Sequence, residues 1–261
     1  MATRDDILAE LGLTPTWRSR DSATAVPEPV APESAALPAL RQPLPRFEPL
    51  PAPAQDAGAR NARIAALAWD EFAADVDACN ACGLCKTRNR SVPGVGDVHA
   101  EWLFVGEAPG AEEDARGEPF VGQAGRLLDN MLAALSLARG RNVYIANVLK
   151  CRPPNNRTPE PSESAACRPY LERQVELIRP KLIVALGKSA ASQLLGTDAT
   201  IASLRGRVHR YRGVPLIVTY HPAYLLRNLP DKAKAWEDML LARRTLATSD
   251  GSVVAGLPPS A

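Results

Sequence analysis

Residues 102–110 read Trp102-Leu103-Phe104-Val105-Gly106-Glu107-Ala108-Pro109-Gly110: five uncharged residues, then an acid, then small residues around a proline. A short apolar run closed by glycine predicts a strand buried on both faces, with a loop able to carry chemistry at its carboxyl end. The same pattern recurs at Val143–Asn147 (VYIAN), Lys181–Gly187 (KLIVALG) and Val214–Tyr220 (VPLIVTY). Between these runs the period changes. Gly122 to Leu137 places Leu127, Leu128, Met131, Leu132 and Leu135 at helical spacing. Glu160 to Ile178 predicts a second helix, entered through a Pro-rich loop. A short helix reaches Leu195, and Asp231 to Leu246 forms the last.

Strands alternating with helices predict an α/β fold: a three-layer αβα sandwich around a central parallel four-stranded sheet. In such sheets ligands bind at the carboxyl ends of strands. Here those ends carry Gly106-Glu107, Asn147 and His221. No dinucleotide glycine fingerprint, P-loop or internal repeat is present.

The domain is expected to span residues 61–246 of the 261. Ten prolines fall between Pro15 and Pro53, among Ala, Ser, Glu and Arg. Such a composition buries too little apolar surface to offset chain entropy, so residues 1–60 read as a disordered extension. Within it, Arg4 to Leu13 could form a short amphipathic helix through Ile7, Leu8, Leu11 and Leu13; it reads either as a fraying turn or as a motif for an unknown protein partner. The small, polar tail over 247–261 is also expected to be disordered.

The apolar content of 46% fits a globular protein, and the net charge of +2 implies no partner by itself. Its distribution is less even. Between Arg141 and Pro230 stand 14 Lys/Arg against 5 Asp/Glu, an excess that suits a phosphate-binding face. The N-terminus does not read as a signal peptide, and no stretch is long and apolar enough to span a membrane, so a cytoplasmic protein is expected. In that reducing compartment, five cysteines point to metal or catalysis rather than disulfides.

Those cysteines are Cys79, Cys82, Cys85, Cys151 and Cys167. The first three form two overlapping C-x-x-C pairs; the last two are separated by 15 residues. A C-x-x-C turn lets two thiolates converge on one metal site, and four thiolates suit either zinc or a [4Fe–4S] cluster. Spacing alone leaves both open. It argues against one local zinc finger, because 68 residues separate Cys82 from Cys151. The site would tie the start of the domain to the loop after the second strand.

Four segments together resemble the type 4 uracil-DNA glycosylases, iron–sulfur enzymes of the uracil-DNA glycosylase superfamily. They are CNACGLCKTR (Cys79 to Arg88), GEAPGAEEDARGEPFVGQAGRLLDNML (Gly106 to Leu132), VYIANVLKCRPPNNRTP (Val143 to Pro159) and HPAYLLR (His221 to Arg227). The resemblance covers roughly residues 77–241. It implies hydrolysis of the N-glycosidic bond of uracil in DNA by a monofunctional, monomeric repair enzyme. It also implies a [4Fe–4S] cluster on Cys79, Cys82, Cys151 and Cys167, with Cys85 beside it as an ordinary residue. The competing register pairs Cys82 with Cys85.

The resemblance assigns roles as well. Uracil must leave the helix before its glycosidic bond can be reached. Gly106, Glu107, Ala108, Pro109, Gly110, Phe120, Asn147 and His221 are then the expected uracil-binding residues. A side-chain amide at Asn147 can accept from uracil N3–H and donate to O4, the reverse of what cytosine offers. Without the resemblance, a strand-end asparagine reads more simply as the cap of the next turn. Phe120 would stack on the base, although a core phenylalanine is the bland alternative. His221 would donate to the uracil O2 that gains charge on leaving. Glu107 would position the water, or simply hold its loop. Arg152, Asn155, Asn156 and Arg157 suit phosphate contacts, as does the run Arg205-Gly206-Arg207-Val208-His209-Arg210; for that run a solvated surface is an equal reading. Tyr224, Leu225, Leu226 and Arg227 would enter the DNA and fill the gap left by the base.

Three other readings compete. A non-catalytic iron–sulfur DNA-binding protein would keep the cysteines without base release. A zinc-dependent nucleotide hydrolase would need an open metal position, which four thiolates close. A relative that traps the abasic product covalently uses a histidine in an inserted loop, and RPPNNRTP has none, so no stable crosslink to DNA is expected.

Overall fold

The computed structural model describes residues 57–249. The proline-rich extension, its short amphipathic segment and the tail beyond Ser249 lie outside the described residues.

Four parallel strands form the centre of one sheet: β2 (Trp102–Gly106), β3 (Val143–Asn147), β4 (Leu182–Leu186) and β6 (Val214–Thr219). Short antiparallel strands, β1 (Val95–Gly96) and β5 (Val208–Tyr211), extend the two edges, giving the order β1-β3-β2-β4-β6-β5. The expected four-stranded parallel sheet is therefore present inside a six-stranded one. Apolar runs located the inner strands to within a residue because β2, β3 and β4 are buried along their whole length. The edges carried no such signal. β1 has two residues, and β5 reads Val-His-Arg-Tyr with alternate side chains exposed. β5 joins β6 through a two-residue turn, Arg212-Gly213, with both φ angles positive, as a tight hairpin requires.

Successive strand residues point to opposite faces and fill two cores. Leu103 and Val105 meet Leu171, Val175 and Ile178 of α5 (Pro161–Ile178) and Ala190, Ala191 and Leu194 of α6 (Lys188–Leu195). Trp102 and Phe104 meet Leu128 and Leu132 of α4 (Gln123–Ala134) and Met239, Ala242 and Leu246 of α9 (Asp231–Ser249). Each of the larger aliphatic and aromatic side chains among them contributes about 1.5–3 kcal/mol by leaving water, and each alanine methyl about 0.8 kcal/mol. The chain after β2 thus leads to one face and the chain after β4 to the other, which opens a crevice at their carboxyl ends.

Two helices precede the expected domain start: α1 (Ala57–Ala66) and α2 (Trp69–Ala78). Residues 57–60 are helical, so the boundary lies earlier than 61. The reason is packing. Ile64 is fully buried beside Phe72, Val76 and Tyr170, and the Arg60 guanidinium lies 5.2 Å from the Tyr170 ring centre. At the other end α9 continues to Ser249, three residues past the expected boundary. Three short helices were also not anticipated: α3 (Ala111–Arg116), α7 (Ile201–Leu204) and α8 (Pro222–Leu225).

Candidate active site

The carboxyl ends of β2 and β3 and the chain after β6 enclose a cavity of about 540 Å³. Glu107, Ala108, Pro109, Gly110, Phe120, Asn147 and His221 all line it. Residues distant in sequence are therefore brought together around one cavity. Gly106 lies directly beneath: a Cβ added there would stand 2.4 Å from Asn147 Oδ1 and 2.7 Å from Phe120 Cζ. Those two side chains close over the glycine because it has none.

Asn147 is 2% exposed, and its Oδ1 is buried without a hydrogen-bond partner. The amide therefore does not cap the next turn. A buried orphan acceptor costs about 1–3 kcal/mol, a cost that a ligand donor would relieve. Glu107 is half-buried; burial raises its carboxyl above the ordinary carboxylate value, and the Ser189 hydroxyl partly offsets this.

Phe120 has φ of 56°, a left-handed conformation costing about 1–2 kcal/mol outside glycine. Two contacts hold it there. Gly125 leaves room, since a Cβ at 125 would sit 1.8 Å from the Phe120 carbonyl oxygen. Arg139 donates to the carbonyls of Pro119 and Phe120, both at 2.8 Å, while pairing with Asp129. Glu113 of α3 fixes the rest of this loop by accepting from the backbone N–H groups of Gly110, Val121 and Gly122. Arg139 and Glu113 were not anticipated, because their partners are backbone atoms and backbone partners leave no sequence pattern.

His221 precedes α8 (Pro222–Leu225), and its Nδ1 accepts the Ala223 N–H at 3.1 Å. An accepting Nδ1 places the proton of neutral imidazole on Nε2. Burial lowers the His221 pKa to about 4, and the Arg227 charge adds to this against Glu113. The ring packs 5.5 Å from that of Phe120 with 28° between their planes. The cavity thus contains a buried acceptor, a neutral N–H donor, an aromatic face and a carboxyl group.

A second site lies behind it. All five cysteines line one small cavity with Arg88, Lys150 and Tyr170. Four of the five sulfurs receive N–H donors. Cys79 takes Ala81 N–H and Arg60, Cys82 takes Leu84 N–H, Cys151 takes Arg88 at 2.9 Å, and Cys167 takes Lys150 N–H at 3.3 Å. No such donor to Cys85 Sγ is found among the described residues. Burial pushes the Cys167 thiol up to about 12 and raises Cys82 and Cys151 as well. At Cys79, burial acts upward too, but the donated hydrogen bonds outweigh it and the net shift is down. Among the described residues no three His, Cys, Asp or Glu side chains surround a single point as the shell of one metal ion does.

The model of the uracil DNA glycosylase superfamily matches residues 93–240, more than half of the chain. The chain belongs to that superfamily. It is 48% identical over 165 residues to a type-4 uracil-DNA glycosylase of Archaeoglobus fulgidus, covering 60% of this chain and 82% of that one. A type-4 uracil-DNA glycosylase of Thermotoga maritima is 48% identical over 155 residues, 59% of this chain and 80% of its own length. That of Saccharolobus solfataricus is 41% identical over 187 residues, 69% and 87%.

In this superfamily member the residues expected to meet DNA divide. Asn156, Arg157, Tyr224 and Arg227 line the large cavity. Asn155 is exposed on the same loop, and Arg152 Nε donates to Asn156 Oδ1 at 2.8 Å. Arg157 is already committed: it binds both oxygens of Glu163, at 2.6 and 2.9 Å. Leu225 does not fit the wedge role. It is 1% exposed and packs with Tyr220 and Ala235, because the short α8 turns it inward. The exposed apolar side chains here are Leu226 and Leu229, at 38% and 60%. Arg205 also departs from expectation, pairing at 3.0 Å with the buried Asp238.

Proposed function

We propose that this protein is a DNA repair enzyme, a type-4 uracil-DNA glycosylase that hydrolyses the N-glycosidic bond of uracil in DNA, releasing free uracil and leaving an abasic site. The observation that carries the reading is the partnerless Oδ1 of Asn147, buried at the edge of a cavity shared with Phe120 and His221. A flipped uracil would satisfy it by donating N3–H, while the Asn147 amide donates to O4. Cytosine has no proton on N3 and would leave the acceptor unpaired.

The chemistry then follows from the neighbouring groups. The C1′–N1 bond breaks with its electron pair going to uracil, whose charge falls on O2. His221 donates Nε2–H to that oxygen and keeps its proton. Water adds to C1′. Glu107 holds this water and, as an anion, offsets positive charge on the sugar. Leu226 supports the unstacked step, and Asn155, Asn156 and Arg227 approach phosphates. The cavity is complete within one chain, in keeping with a monomer, and a cytoplasmic location is part of the same reading.

The cysteine cavity fits a [4Fe–4S] cluster. Each ligand of such a cluster binds a different iron, so its thiolates need not crowd a single point. N–H donors to sulfur favour thiolate. By that measure the ligands are Cys79, Cys82, Cys151 and Cys167, and Cys85 is spare. When bound, the group supplies a structural tie between the loop after β3 and α2, with no step of the reaction assigned to it. No helix among the described residues is long and apolar enough to cross a membrane.

The test is alkali cleavage of a labelled uracil-containing oligonucleotide after incubation with the anaerobically purified chain. Cleavage at uracil alone is expected, and an inactive but folded, iron-loaded protein would leave the DNA-binding alternative. Gly106→Ala provides a sharper check. Its methyl would overlap Asn147 Oδ1 and Phe120, and overpacking of this kind costs about 1–3 kcal/mol. KM for the uracil substrate is expected to rise about 10-fold or more, and the melting temperature to fall by about 2–4 °C for each kcal/mol of overpacking. Unchanged KM would count against the pocket.

A further inference from the structure

We propose that Lys150 is a positioning residue coupling the cysteine centre to base recognition: its buried ammonium takes its counter-charge from the thiolates and holds the main chain of Asn147 in register. The proposal rests on the function proposed above, and it concerns a residue with no part in that chemistry.

Lys150 is 1% exposed. Lysine is almost never fully buried without a charged partner, because an isolated buried cation costs several kcal/mol. Its Nζ donates to the carbonyl oxygen of Asn147 at 2.7 Å and to Gln174 Oε1. Both acceptors are neutral. Among the described residues no Asp or Glu pairs with it. Lys150 lines the cavity of the five cysteines, Cys151 and Cys167 among them. Its own backbone N–H donates to Cys167 Sγ at 3.3 Å. The thiolates of a bound cluster would supply the charge that the protein otherwise withholds.

The other end of the contact is the base pocket. Lys150 follows Asn147 by three residues, at the carboxyl end of β3. Its ammonium clamps the carbonyl of the residue whose side chain bears the orphan acceptor. Gln174 braces the ammonium from α5, one heptad beyond Cys167 and so on the same side of that helix. The Gln174 Nε2 donates to Pro93 carbonyl at 2.7 Å and to the Tyr144 hydroxyl at 3.3 Å. A continuous polar path therefore runs from the cysteine cavity to Asn147, buried between the two sites.

Lys150→Met removes the charge while keeping an unbranched side chain of similar length. It is tested in the full chain, purified without oxygen. The expected result combines retained iron, a cluster midpoint potential shifted to more negative values and a KM for uracil DNA raised about 10-fold. The potential shifts because one nearby positive charge is lost, which a merely structural lysine far from the sulfurs would not produce. Gln174→Leu keeps the ammonium and removes one neutral acceptor. It is expected to raise KM several-fold at an unchanged potential. A Lys150→Met enzyme with wild-type potential and wild-type KM overturns the proposal. If that variant does not accumulate, a wild-type KM in Gln174→Leu overturns it. A wild-type chain without iron or without uracil release would remove the underlying reading as well, and that result is distinguishable because it precedes any variant.

Discussion

Replacing His221 by alanine is expected to lower kcat for uracil release by about 10²–10³-fold while KM stays within a few-fold. Ala223 N–H occupies Nδ1, so the ring has a single remaining donor, Nε2–H, beside the ring of Phe120. With a pKa of about 4, the imidazole is neutral through the whole range in which DNA is handled. A neutral donor costs no charge burial in the resting enzyme and strengthens only as O2 becomes anionic, so it acts on the transition state. Nitrogen NMR at pH 7 should show the Nε2-protonated neutral tautomer. The sign of the pH dependence follows. A lowered histidine pKa means protonation only in acid, so no loss of rate near neutrality is due to His221. The acid limb belongs instead to Glu107, whose raised pKa keeps it protonated above the ordinary carboxylate range. A His221→Ala enzyme within threefold of wild-type kcat would remove the histidine from the mechanism.

Asn147→Ala should act differently, reducing kcat/KM for uracil by roughly 10²–10³-fold. Two hydrogen bonds to the base are lost, and each unpaired buried group costs about 1–3 kcal/mol. Discrimination is the more telling readout. In the proposed mechanism the amide excludes cytosine, so the ratio of uracil to cytosine processing should fall together with the uracil rate. Parallel single-turnover assays on two oligonucleotides differing at that base measure it. A variant that loses rate but keeps its full preference would assign selectivity elsewhere in the cavity.

Much of this was legible in the sequence, and the limits are physical. The inner strands announced themselves because a strand buried on both faces must be apolar throughout, as VYIAN nearly is. Strand β5 did not, because a half-exposed edge tolerates Val-His-Arg-Tyr. Gly106, Asn147 and His221 could be singled out because strand ends are where this fold places ligands, while the roles expected of them came from the resemblance. The left-handed Phe120 could not, since its conformation depends on Gly125 and Arg139 across a turn. Arginines were the least readable. Arg157 and Arg205 resemble free phosphate contacts in a basic stretch, yet Glu163 and Asp238 engage them from elsewhere in the fold. Leu225 and Leu226 are neighbours of identical chemistry, and only the direction of a one-turn helix separates a core residue from an exposed one.

The cysteine cavity also bears on how the chain is made. Its walls come from residues 76 to 170, so the pocket lacks a side until α5 has left the ribosome. At roughly 5–20 residues per second, synthesis of that interval takes on the order of 10 s. Through that time Cys79, Cys82 and Cys85 are nascent thiols still without Cys151, Cys167 and Lys150, which later share their cavity. The five thiols therefore come to share one cavity only late in synthesis, once most of the domain has been made.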